Sequence, residues 1–282
     1  MTQEYETDEV ISLDLTAIFA DPKMKKWIKR LEKPIKLLTK ISVLDVYLNR
    51  IDKDSSPEST WEKWLKHLQV RFLEADNSPG VIPKTGPVIF TSNHPFGMLD
   101  GFGLTATIKS IRPDVKIMTN HSLQPVTGLS DDIIGVDPYE KNSSKKANLA
   151  PVRTALHWLK QGGAMVVFPG GDVSTYNSEK DCIVDPPWNP IIGRIAAGAK
   201  ADIVPLFIHG TNSKLFYRLR HMNERIASFM LARECLKKRG NTILYSVGEK
   251  ISKETIQAMK TGEVVINYAR KKTYELAGKT DV

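Results

Sequence analysis

The chain has 282 residues, 41% of them hydrophobic and 26% charged, with a formal net charge of +8 and a pI near 9.3. This is a globular composition, long enough for one large core. Cys182 and Cys235 lie far apart and neither belongs to a CxxC pair, so neither a disulfide scaffold nor a cysteine zinc site is suggested.

Met1 to Glu9 is polar and acidic, and no run approaches about 18 uninterrupted apolar residues, so the expectation is a cytoplasmic chain that does not span a membrane. The basic balance points to an anionic partner: a lipid headgroup, a phosphate-bearing cofactor or nucleic acid. From Asp21 to Ile51, apolar residues (Leu31, Leu37, Leu38, Ile41, Leu44, Tyr47, Leu48) interleave with Lys25, Lys26, Lys29, Arg30, Lys33, Lys36 and Lys40. Asp21 suits a cap, Pro22 a first turn, and Pro34 a kink or split, which predicts a basic amphipathic helical pair. It reads either as an interfacial segment on an anionic membrane with Trp27 at headgroup level, or as a surface helix packing its apolar stripe on the core.

Asp52 to Pro57 reads as a linker, and Ser59-Thr60-Trp61-Glu62 has capping-box spacing for a helix through about Glu74. Asn77-Ser78-Pro79-Gly80 breaks the chain again, dividing an N-terminal helical segment (1–78) from an α/β domain (79–282). Strands are expected at 87–92, 115–119, 133–137, 164–168, 202–208 and 242–247. Helices are expected at 100–112, 145–161, 189–200 and 213–238. This alternation predicts a mostly parallel or mixed sheet flanked by helices, with ligands beyond the strand carboxyl ends.

Three of those strand ends carry polar, glycine-punctuated turns. The first runs Asn93-His94-Pro95-Phe96-Gly97-Met98-Leu99-Asp100-Gly101 and offers an imidazole and a carboxylate at a strand-to-helix turn, the arrangement of a general base with its orienting partner. His67, His157 and His221 sit in helical patterns and read as structural. The metal-ligand spacing and the G-x-S-x-G elbow are both missing around His94. A second turn, Phe168-Pro169-Gly170-Gly171-Asp172-Val173-Ser174-Thr175, reads as a close backbone approach to a ligand or as a capped glycine turn. The third follows Ile208 as His209-Gly210-Thr211-Asn212-Ser213.

Taken in order, Asn93 to Gly97 with Asp100-Gly101, Val136-Asp137-Pro138, Phe168 to Ser174, Asp185-Pro186-Pro187-Trp188 and Pro205 to Ser213 resemble the lysophospholipid acyltransferase superfamily. The likeness is nearest to the hemolysin-like branch that includes ornithine-lipid acyltransferases, and it spans roughly residues 85 to 250. The resemblance implies a glycerol-phosphate acyltransferase-like fold and transfer of an acyl group from acyl carrier protein or coenzyme A to a lysolipid hydroxyl. The work would be done at the inner face of an anionic membrane, with no bound cofactor, metal or nucleic acid. It makes His94 the base and Asp100 its partner, with Asn93, Gly97, Phe168, Pro169, Gly170, Gly171, Asp172 and Ser174 at the substrate. Backbone N–H groups near Gly170 and Gly171 are the expected oxyanion donors.

The chain departs from the best-known members of that superfamily in three places. Five residues separate His94 from Asp100, one more than usual; Gly170 stands where those members carry Glu; and Pro138 follows Asp137 where they carry the Arg associated with the acceptor phosphate. Arg153, Lys145 and Lys146 are the candidates to replace that Arg. Thioester hydrolysis and non-catalytic lipid binding remain the alternatives.

Overall fold

The computed structural model describes residues 25–26, 29–52, 54–120, 129–136, 149–222 and 224–279. Its helices are α1 (Glu32–Thr39), α2 (Ile41–Asp52), α3 (Thr60–Leu68), α4 (Met98–Ile111), α5 (Leu149–Lys160), α6 (Pro190–Ala199), α7 (Lys214–Met222), α8 (Glu224–Lys237), α9 (Lys253–Ala258) and α10 (Gly262–Glu275). The strands are β1 (Arg71–Glu74), β2 (Val88–Ser92), β3 (Val115–Asn120), β4 (Ile133–Val136), β5 (Ala164–Val167), β6 (Thr175–Asn177), β7 (Cys182–Val184), β8 (Asp202–Ile208) and β9 (Thr242–Val247). One mixed sheet runs in the order β1-β9-β8-β2-β5-β3-β4, and β6 and β7 form a separate hairpin. Within the main sheet every neighbouring pair is parallel except β8 with β9.

The β-branched run of β2 is buried along its whole length because it lies at the centre of a sheet covered on both faces. Val88 and Phe90 point to one face, where Trp61, Trp64, Leu99 and Phe102 of α3 and α4 pack with Val166 and Val204. Ile89 points to the other, against Met165, Val167, Ile203 and the apolar stripes of α5, α6, α9 and α10. The Trp64 and Phe102 rings stack at 4.6 Å.

Several expectations shift. The helix begun by the Ser59 capping box stops at Leu68, where Gln69 takes a left-handed conformation (φ 56°) and closes the last turn. Residues 71–74 are therefore not helix but β1, paired in parallel with β9, with Phe72 turned inward. The expected boundary between residues 78 and 79 consequently falls between two strands of one sheet. The stretch expected as a single helix over 213–238 is two, α7 and α8, and the α9 and α10 helices and the β6–β7 hairpin carry no sequence expectation at all. Upstream, Leu31 is non-helical and α1 starts with Pro34 in its first turn, as a proline that denies its ring to a continuous helix requires. Lys40 (φ 57°) then separates α1 from α2. Ile41, Tyr47 and Ile51 join the core, whereas Leu37, Leu38, Val43 and Val46 face out. Asp21, Pro22 and Trp27 lie outside the described residues.

Candidate active site

Parallel pairing of β2 with β5 and β8 brings the ends of all three strands to one edge of the sheet, with Thr91 opposite Val167 and Ser92 opposite Leu206. The three turns singled out in the sequence therefore meet there. At the end of β2, Asn93 spends its amide on the neighbouring strand: Nδ2 donates to the Ile208 carbonyl at 2.9 Å, and Oδ1 accepts the Ile208 N–H at 2.7 Å. Asn93 is thus a buried brace that continues the β2–β8 pairing with a side chain.

His94 comes next, and its Nδ1 lies 3.0 Å from Asp100 Oδ2. Between them Gly97 has a φ of 81° and a ψ of −128°, a conformation that suits only glycine. A Cβ at Gly97 would also stand 3.1 Å from Val173 Cγ1 and 3.2 Å from Leu231 Cδ2. Asp100 sits in the first turn of α4, where its Oδ2 also accepts the Phe96 and Gly97 N–H groups at 2.8 and 2.9 Å. Its carboxyl is wholly buried. That burial pushes its pKa above the usual carboxylate range, opposed by neighbouring His94 and by the Phe96 and Gly97 N–H groups. The imidazole remains 18% exposed and stacks on the Phe168 ring at 4.2 Å.

The glycine turn closes over this pair. Phe168 supplies the stacking surface, the Pro169 carbonyl accepts the Asn189 N–H, and Gly170 lies against Asp185 with no room for more than a tight Cβ contact. Gly171, at φ 69°, donates its N–H to the Phe168 carbonyl at 3.0 Å. That donor is thus used within the turn. The Ser174 N–H donates to the His94 carbonyl at 2.8 Å, and Ser174 Oγ donates to Asp185 Oδ1. Asp172 is held by Arg220 of α7, which is almost fully buried, through two N–H···O contacts of 2.6 and 3.3 Å.

Other sequence candidates are placed as follows. Arg153 is exposed on α5, and no contact between it and the His94 cluster is found among the described residues. Asp137, Pro138, Lys145 and Lys146 lie outside those residues. His67 pairs with Asp54, and His157 lies beside Gln161 on α5. His209 sits 2.8 Å from Ser246 Oγ on β9, and burial lowers its pKa. Among the described residues, no group of three or more His, Cys, Asp or Glu side chains is arranged to hold a metal ion. Sequence reasoning missed Arg220, and also Tyr274 and Arg270 of α10, which bind the main chain of Asp185. Nothing in their local pattern marks them, since their partners are remote in sequence.

A buried carboxylate behind a partly open imidazole can hold one ring tautomer and offer the other nitrogen as a base. Comparisons with known proteins bear on which chemistry this arrangement serves. A lyso-glycine lipid O-acyltransferase from Bacteroides thetaiotaomicron is 26% identical over 279 residues, covering 95% of this chain and 99% of that protein. A second protein of the same name, from Phocaeicola vulgatus, is 27% identical over 202 residues, 69% of this chain and 70% of its own length. Among solved structures, the 1-acyl-sn-glycerophosphate (LPA) acyltransferase PlsC from Thermotoga maritima aligns with 90% of this chain and 93% of its own. Its sequence identity is 14% and its TM-score 0.41, too low a score to carry an argument. The sequence profile of the Acyltransferase family matches residues 67–282, from the end of α3 through every strand of the sheet. With a match over that much of its length, the chain belongs to the Acyltransferase family.

Proposed function

We propose that this acyltransferase moves a fatty acyl group from a thioester of acyl carrier protein or coenzyme A to the hydroxyl of a lysolipid, with His94 as general base. The observation that carries this reading is the 3.0 Å approach of His94 Nδ1 to the buried Asp100 carboxylate. With Nδ1–H turned to Asp100, Nε2 is the basic nitrogen. Nε2 takes the proton of the acceptor hydroxyl as its oxygen attacks the thioester carbonyl. The tetrahedral intermediate then collapses, the C–S bond breaks, and the imidazolium returns its proton to the leaving thiolate. Asp100 stabilises the imidazolium throughout, and the acyl group is never attached to the enzyme.

The names of the two relatives support an acceptor whose headgroup is an amino acid, a lyso-glycine lipid in the first instance. No described helix is long and apolar enough to cross a membrane. An anionic membrane surface is the proposed place of work. Exposed Leu37 and Val43 beside Lys33, Lys40 and Arg239 line an open groove of about 620 Å³ between α1, α2 and the end of α8.

The test supplies a labelled acyl thioester with and without lyso-glycine lipid to the wild type and to His94→Ala, and follows the lipid product by mass spectrometry. Acceptor-dependent diacyl product from the wild type alone is the expected result. Acyl release without acceptor, at the same rate, would instead identify a thioester hydrolase. Unchanged product from His94→Ala would remove His94 from the chemistry.

A further inference from the structure

We propose that Asp185 is a positioning residue for His94, fixing the base-bearing turn against the glycine turn. The proposal rests on the reading of His94 as the base.

Asp185 follows directly on β7 and is 3% exposed. Its Oδ1 accepts the His94 N–H at 3.1 Å and the Ser174 hydroxyl at 2.5 Å, and its Oδ2 accepts the Trp188 indole N–H at 2.9 Å. Its own main chain is anchored as well: its N–H donates to Tyr274 Oη at 2.8 Å, and its carbonyl accepts from Arg270 Nη2 at 3.2 Å. The Ser174 N–H in turn donates to the His94 carbonyl. Both backbone polar groups of the proposed base are therefore held, one by Asp185 and the other by the serine that Asp185 binds.

Two of the three donors on this carboxylate, the His94 amide and the Trp188 indole, can only donate, which matches an ionised acceptor. The charged and titratable groups facing it are His94 from the β2 turn and Tyr274 and Arg270 from α10. Burial opposes that charge.

The test is Asp185→Asn in the full chain, assayed with palmitoyl-acyl carrier protein and a lyso-glycine lipid in mixed micelles. We expect kcat to fall about tenfold to a hundredfold, with KM for both substrates within about threefold of wild type. An Asn amide nitrogen facing Trp188 would set donor against donor, so Asp185→Asn/Trp188→Phe is the second variant. It relieves that conflict and is expected to melt closer to wild type while kcat stays below wild type, because a neutral amide oxygen accepts the His94 N–H and the Ser174 hydroxyl more weakly than a carboxylate does. Wild-type kcat in either folded variant would overturn the proposal, as would loss of a cooperative melt in both, which makes Asp185 a folding residue alone. His94→Ala separates the two readings. If that variant is inactive while Asp185→Asn behaves as wild type, only the role of Asp185 falls; if His94→Ala is active, the base itself is misassigned.

Discussion

Asp100 combines full burial with a proton affinity raised by that burial, and both consequences are measurable. In Asp100→Asn, the amide oxygen can still accept the Phe96 and Gly97 N–H groups but the negative charge beside His94 is gone, and on the proposed mechanism kcat is expected to fall by about two to four orders of magnitude. The same change alters stability in a signed way. Because the native pKa lies above the ordinary 3.8, the folded chain holds this proton over a pH range in which the unfolded chain has released it. Its contribution to stability is complete below that ordinary value and is lost as pH rises through the native one. Melting temperature followed from about pH 4 to pH 7 should therefore decline less, or climb more, in Asp100→Asn than in wild type; a parallel curve would show that burial does not perturb this carboxyl. The His94 and Asp100 pair was legible in the sequence because a strand, a proline, a glycine and an acid fall within a few positions. Asp185 could be noticed within its Asp-Pro-Pro-Trp run, but its bond to a backbone N–H 91 residues away could not.

At the scale of elements, the β2–α4 junction carries the greatest local constraint. Gly97→Ala would force a Cβ into a conformation reserved for glycine and against Val173 and Leu231. A cost of about 1–3 kcal/mol is expected. In differential scanning calorimetry each kcal/mol lowers the melting temperature by about 2–4 °C in a chain approaching this size. Activity should fall with it, since the Phe96 and Gly97 N–H groups that fix Asp100 belong to the displaced turn. A variant that melts and turns over as wild type would show that this turn tolerates a side chain. The elements themselves were legible wherever hydrophobic runs were long and β-branched. They were missed where the strand was short and at the sheet edge, as in β1, because Arg71 to Glu74 becomes a strand only by pairing with β9. The polar helix α10 was missed for a related reason. Its inward residues Val265, Ile266 and Ala269 are few, and their partners lie on other elements.

For the whole molecule, the net charge of +8 becomes meaningful only through its distribution. Lys33, Lys40 and Arg239 border the groove beside exposed Leu37 and Val43, which suits the surface of an anionic bilayer. Reversing those three charges to Glu should weaken cosedimentation with phosphatidylglycerol vesicles by at least the roughly 1 kcal/mol per basic residue expected at such a surface. About 0.5 M salt should weaken the wild type in the same assay. Equal binding to zwitterionic and anionic vesicles would show that the basic rim is not a membrane contact.

The sequence by itself determined the alternation of strands and helices, the turns at three strand ends and the identity of the imidazole–carboxylate pair. All of these depend on residues close together in the chain, where hydrophobic period, proline and glycine act directly. Tertiary structure alone decided which turns meet. Parallel pairing of β2 with β5 and β8 sets His94 beside Phe168 and engages Asn93 with Ile208. The His94 N–H also meets the Asp185 carboxylate, a contact made across 91 residues by burial and hydrogen bonding that no local pattern encodes.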